Sequence, residues 1–225
     1  IAYQEAYGSS LSGRRSCVSF KNVGLNVASD AYLNSLLAGV NAGLVVIVTD
    51  DVEVEGSQSR QDSRHYRDFF GGLWLEPNSI QSAYQLAYMA FVLSEKFALP
   101  IVIRLTNQFF KLSGKYKRKP KIKKHFHSLR NKTKFIVHPH NWKKQISSLK
   151  RKNKRIEDFV EQYAKKQSKE ENYKAVACGN CADELSKNKL SSKKCLLVET
   201  YPLPLKLIRK SFSTKKSLTV FEQGD

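Results

Sequence analysis

Between Gly56 and Tyr66 the chain reads GSQSRQDSRHY, which crowds Gln58, Arg60, Gln61, Asp62, Ser63, Arg64 and His65 into eight positions. Guanidinium, imidazole, carboxylate and amide groups side by side can bind anions, carry protons and orient polar ligands. No core is built from such residues. By composition alone the stretch is either a solvated loop or a site.

Three other motifs carry possible chemistry. CGNC, Cys178 to Cys181, has the spacing of half a zinc site or of a redox pair. Only Cys195 remains nearby as a partner, so ordinary small core residues are expected. HFH (His125, His127) and HPH (His138, His140) lie in a basic segment without a carboxylate to complete a site, which predicts solvated or packing roles and no metal. No glycine-rich phosphate loop of a standard type is present.

The elements that must position GSQSRQDSRHY follow from periodicity. SCVSF, GLVVIVTDD, LWLEP and PIVIRLT are short β-rich runs, nearly continuous in apolar character, as strands covered on both faces should be. SDAYLNSLLAGV opens with a Ser-Asp capping pair, and NSIQSAYQLAYMAFVLSEKFAL carries an apolar helical stripe behind a polar cap. Strand and helix alternate, which predicts an α/β fold with an open, mostly parallel sheet over residues 1–110. Residues 111–170 form a basic connection followed by one amphipathic helix, with Trp142, Ile146, Leu149, Asn153, Ile156, Val160 and Tyr163 on its stripe. From 171 to 225 the rhythm resumes as a second, smaller α/β unit.

Charge is unevenly placed. Residues 1–110 hold 8 Lys/Arg against 10 Asp/Glu, and residues 111–225 hold 31 against 10. Clustered cations with Tyr116, Phe126 and Trp142 interleaved resemble a nucleic-acid footprint. The aromatics are few and Lys outnumbers Arg, so nucleic acid is not expected as the partner. The longest apolar run, LLAGVNAGLVVIV, is shorter than the ~18 residues of a membrane span, and nothing resembles a secretory signal. A cytoplasmic protein with reduced cysteines is the expectation. There is no initiator Met, and a fragment of a longer protein is expected.

FKNVGLNVASDAYLNSLLAGVNAGLVVIVTDD, followed by GSQSRQDSRHYRDF, resembles the α subunits of the indolepyruvate ferredoxin oxidoreductases. These are thiamine-diphosphate-dependent 2-oxoacid:acceptor oxidoreductases. The likeness continues through LEPNSIQSAYQLAYMAFVLSEKFALPIVIRLT to YPLP and VFEQGD. It implies a first domain that holds the cofactor's aminopyrimidine and a second of the transketolase C-terminal type. Diphosphate, magnesium and iron–sulfur clusters would be bound by regions outside this chain. It further implies a β subunit and ferredoxin as partners, with coenzyme A and an aryl 2-oxoacid such as indolepyruvate as substrates. A degenerate homologue binding RNA or an acidic protein is the rival.

The resemblance also assigns residues. Gln4 falls at the family's cofactor-activating Glu, with Glu5 next to it, so either Glu5 serves or the site carries an amide. Arg64 would hold the 2-oxoacid carboxylate bidentately. His65 would donate a proton or serve as a hydrogen-bond partner, Asp62 would orient Arg64 or His65, and Gln61 would touch cofactor or substrate. Asn26, Ser29 and Asp30 would lie across the same cleft, with Asp30 also capping its helix.

Overall fold

The structure is a computed structural model that describes residues 1–56, 58–120, 133–168 and 173–223. His125, His127 and Phe126 lie outside the described residues. Helix α1 (Ala2–Leu11) leads into β1 (Ser16–Lys21), α2 (Asn22–Ala38) and β2 (Leu44–Asp50). A 3-10 turn at Ser63–His65, α3 (Tyr66–Phe70), β3 (Leu73–Leu75), α4 (Ile80–Phe97) and β4 (Ile101–Thr106) follow. After the long helix α5 (Pro139–Gln167) come β5 (Ala175–Cys178), α6 (Ala182–Lys187), β6 (Cys195–Val198), β7 (Thr200–Tyr201), α7 (Leu205–Ser211) and β8 (Thr219–Phe221).

The first sheet has the order β1-β2-β4-β3-β7, parallel from β1 to β3. Its edge strand β7 runs antiparallel and comes from the second unit. The second sheet, β6-β5-β8, is parallel. The continuous apolar runs are explained by burial: β3 is buried throughout and β2 and β4 nearly so, as sheets covered on both faces require. Buried aromatics find polar partners for their tips: Trp74 Nε1 donates to the Tyr32 hydroxyl at 3.1 Å, and the Tyr3 and Ser35 hydroxyls are 2.6 Å apart.

Two sequence expectations change here. Helix α2 starts at Asn22, not at Ser29-Asp30, because Leu25 belongs to the same buried face as Tyr32 and Leu36 and draws the helix back to the strand end. Asp30 therefore caps nothing; it lies in mid-helix and accepts from Asn34 Nδ2 at 3.0 Å. In α5, Leu149, Ile156 and Val160 join the main core, but Trp142 is 50% exposed. Gln145 is buried at that level instead, its amide donating to the carbonyls of Lys134 and Ile136.

Asn153, the polar break in the α5 stripe, grips the turn before β3. Its Nδ2 donates to Phe70 O at 2.8 Å and its Oδ1 accepts from Gly72 N at 2.9 Å. Gly71 has φ +83, and a Cβ there would collide with the Asn153 amide. Asn153→Ala strands two backbone groups; urea denaturation should show a loss of about 1–3 kcal/mol, and an unchanged midpoint would refute this role.

Helix α5 also ties the two units together. Phe159 meets Phe97 edge to face at 5.7 Å, while Glu161 accepts the backbone N–H groups of Lys206 and Leu207 at the start of α7. Part of the basic connection lies along α4: Tyr116 stacks on Tyr84, and the Lys119 N–H donates to the Tyr84 hydroxyl. His138 caps α5 and stacks on His140, a packing role.

Candidate functional site

Open α/β sheets bind ligands beyond the carboxyl ends of their strands. Here β2 ends in Asp50, β3 is followed by Glu76, and β4 carries Arg104 near its end. Arg104 is 2% exposed. Its Nε donates to Asp50 Oδ2 at 2.6 Å, Nη1 to Glu76 Oε2 at 3.0 Å and Nη2 to Gln223 O at 2.9 Å. Thr106 Oγ1 donates to Gln223 Oε1 at 2.5 Å, so the tail of the second unit is seated on the first sheet.

The QDSRHY segment is pinned onto this cluster. Ser63 donates to Asp50 twice, from its backbone N–H at 2.8 Å and its hydroxyl at 2.5 Å. Arg64 Nε donates to both Asp62 oxygens at 2.9 Å, Nη2 also donates to Asp62, and Nη1 reaches Glu222 Oε2 at 3.1 Å. Two guanidiniums thus face three buried carboxylates, with Glu222 at the rim. Burial pushes the Asp62 carboxyl up, but the hydrogen bond from Arg64 and the charges of Arg104 and Arg64 outweigh it and hold it below its ordinary range. At Glu76 burial wins, and its carboxyl is raised despite both guanidiniums.

Arg64, expected to hold a substrate carboxylate, is 8% exposed, and all three of its guanidinium nitrogens are engaged by protein carboxylates, which orders the loop. Asp62 is the main hydrogen-bond partner of the Arg64 guanidinium. His65 points outward, with Nδ1 3.3 Å from Asp68 Oδ2. The segment alternates: Gln61 and His65 face out while Asp62, Ser63 and Arg64 hold it down.

Gln61 is brought to Asn26. Asn26 Nδ2 donates to Gln61 Oε1 at 2.8 Å, Gln61 Nε2 donates back to Asn26 Oδ1 at 2.9 Å, and the Tyr66 hydroxyl adds a third bond to Asn26 Oδ1 at 2.8 Å. Burial raises the Tyr66 phenol, and the nearby Ser29 side chain opposes it. Beside them Val27 is 88% exposed. Asp30 is not part of the group; its carboxylate serves Asn34.

Gln4 and Glu5 are not brought there either. The Ser16 hydroxyl donates to Ala6 O, which fixes that turn of α1 at the amino end of β1. Ser16 is level with Leu44 in the register; at ~3.3 Å per residue Asp50 lies about 20 Å further along the sheet. Glu5 cannot span that, and it is solvent-exposed on the first turn of α1. Glu5, expected beside the cofactor with Arg64 and His65, therefore lies apart from both of them.

Sequence reasoning missed Asp50, Glu76, Arg104 and Gln223. The signal was legible in PIVIRLT, since an arginine inside a buried strand demands paired carboxylates. CGNC behaves as core: both thiols are buried, Cys181 Sγ donates to Cys178 O, and burial pushes the Cys178 thiol up to about 12. Gly179 in its middle passes close to the Glu76 carboxylate, where a Cβ would lie 3.1 Å away. Among the described residues no group of three or more His, Cys, Asp or Glu could hold a metal ion. A larger cavity of about 470 Å³ lies elsewhere, between the amino end of α4 and β6, and none of the expected site residues lines it.

No protein-family model matches the chain. Its whole length aligns at 30% identity with the indolepyruvate oxidoreductase subunit IorA of Archaeoglobus fulgidus, and at 30% with that of Methanothermobacter marburgensis, covering 38% of each relative. IorA of Thermococcus kodakarensis is 40% identical over 108 residues, 48% of this chain and 17% of the relative. A solved 2-oxoglutarate:ferredoxin oxidoreductase from Magnetococcus marinus, with 2-oxoglutarate, coenzyme A and succinyl-CoA bound, matches with a TM-score of 0.61. That match covers 97% of this chain and 47% of the other at 11% identity, a likeness of fold. The resemblance drawn from LNVASD and QDSRHY is borne out, and the chain spans little more than a third of the curated relatives it matches.

Proposed function

We propose that this chain, akin over its whole length to indolepyruvate oxidoreductase subunits, is the pyrimidine-holding part of a thiamine-diphosphate-dependent 2-oxoacid:ferredoxin oxidoreductase. The complete enzyme converts indolepyruvate or another aryl 2-oxoacid, coenzyme A and two oxidised ferredoxins into acyl-CoA, carbon dioxide and two reduced ferredoxins. The observation that carries the reading is the partly exposed Asn26–Gln61–Tyr66 junction, anchored by the ion cluster at the carboxyl ends of β2, β3 and β4.

The residues present fit an aminopyrimidine. With the junction formed, each amide keeps one N–H and the Gln61 Oε1 a second lone pair for a ring edge, and Val27 supplies apolar surface alongside. Thiamine diphosphate, when bound, supplies the carbon nucleophile for the 2-oxo group and takes up the electrons released with carbon dioxide. This chain's contribution is binding and orientation. Asn26 and Gln61 hold the ring, Arg64 and Ser63 keep Gln61 in place, and His65 carries a ring proton at the rim. The diphosphate, magnesium and iron–sulfur clusters are assigned to the relatives' length that this span does not cover, with a β subunit as partner. A cytoplasmic enzyme is part of the proposal; among the described residues no helix is long and apolar enough to cross a membrane.

Turnover tests this. The full protein with its partner subunit, given indolepyruvate, coenzyme A and thiamine diphosphate, should reduce a viologen dye; no reduction with any aryl or aliphatic 2-oxoacid would end the reading.

A further inference from the structure

The first half of α5 breaks two rules of helix electrostatics. Helix amino ends favour acidic residues, yet the first turn of α5 has none and Lys143 and Lys144 follow directly. Pairs at i,i+4 favour opposite charges, yet Lys150 faces Lys154 and Arg151 faces Arg155. The sequence has no acidic residue between Lys96 and Glu157 to offset them. Lys143, Lys144, Lys150, Arg151 and Lys154 are all exposed, and among the described residues none of them forms an ion pair. The field of this region is felt inside the fold. Lys152, whose Nζ donates to Ala98 O, is pushed down to about 8, first by burial and then by the charges of Lys134 and Arg155.

Local rules are broken at functional sites more than elsewhere, and a bound anionic surface would relieve both violations. Ile136, Val137 and Trp142, each about half exposed, leave apolar surface at the amino end of α5. We infer that the cationic stripe of α5, with Trp142 at its head, docks an acidic electron-carrier protein. The inference rests on the proposed oxidoreductase reading for the identity of that carrier. Protein is favoured over nucleic acid on two counts. Four of the six exposed cations from Lys143 to Arg155 are Lys, whose point charge lacks the planar fork of Arg that matches phosphate. Trp142 is also a single ring where single-strand binders present a series of stacking rings.

Lys150→Glu with Arg151→Glu separates docking from stability. The new residues pair favourably with Lys154 and Arg155, so the helix holds or gains stability, while the stripe loses charge. The full protein with its partner subunit is titrated with a low-potential ferredoxin and, separately, assayed with methyl viologen. Expected are a KM and a binding constant for ferredoxin about 10-fold weaker at low salt, a loss that vanishes at high salt, and unchanged dye turnover. Ferredoxin binding that the double variant leaves intact overturns the inference. So does tight, salt-dependent binding of single-stranded RNA that the variant abolishes while ferredoxin binding persists. Dye turnover reports on the oxidoreductase reading alone, so its failure is distinguishable from a failure of docking.

Discussion

Arg104→Met should leave the protein at the edge of unfolding in urea at neutral pH. The guanidinium satisfies Asp50, Glu76 and the Gln223 carbonyl at once, and its removal strands two buried carboxylates in a site with almost no solvent. Breaking a buried pair by deleting one partner costs about 3–5 kcal/mol, against a total stability of about 5–15 kcal/mol for a domain. Arg104→Lys should recover little, since an ammonium cannot aim donors at three separated acceptors. Acid should lessen the defect. Glu76 already has a raised carboxyl in the fold; a carboxyl raised on folding favours the native state at low pH and loses that contribution as pH rises through its folded value. A neutral midpoint within 0.5 kcal/mol of the parent would remove Arg104 from the centre of this account.

Asn26→Ala and Gln61→Ala should do the reverse, sparing stability and damaging activity. Asn26 is exposed, Gln61 is partly buried, and they bond mainly each other, so surface-type effects within about 0.5 kcal/mol are expected. Misplacing a ring held next to reacting atoms is expensive, about 10- to 100-fold in kcat/KM. The loss should appear as weaker cofactor saturation together with lower kcat, since the amides orient the cofactor and do not touch the leaving group. Tyr66→Phe, which removes one of three bonds to the junction, should give a smaller loss in the same direction.

The strands were legible because β2, β3 and β4 are buried on both faces and their sequences are continuously apolar, a signal that polar neighbours cannot blur. The start of α2 was not. A Ser-Asp pair looks like a cap wherever it stands, and only the burial of Leu25 against the sheet shows that the helix has already begun. The meeting of Gln61 with Asn26 was foreseeable from the order of the blocks. The inward turn of Arg64 was not, because its partners Asp62 and Glu222 are 2 and 158 residues away and only the second unit brings the distant one in. The separation of Gln4 and Glu5 from that cluster was hidden for a similar reason. Position along α1 is fixed by the Ser16–Ala6 bond, which no periodicity announces. Asn153 read as a flaw in a stripe until the backbone it grips was seen.

The central claim is that the Asn26–Gln61 junction is the working face of this chain and that the ion cluster beneath it is scaffolding. A double-mutant cycle in the full enzyme tests it, with kcat/KM for the 2-oxoacid and the melting temperature measured for Asn26→Ala, Gln61→Ala and the pair. The account predicts that each single variant and the double lose the same ~10- to 100-fold, with melting temperatures close to the parent. Parental kcat/KM in all three variants, in an enzyme that turns over indolepyruvate, would contradict it.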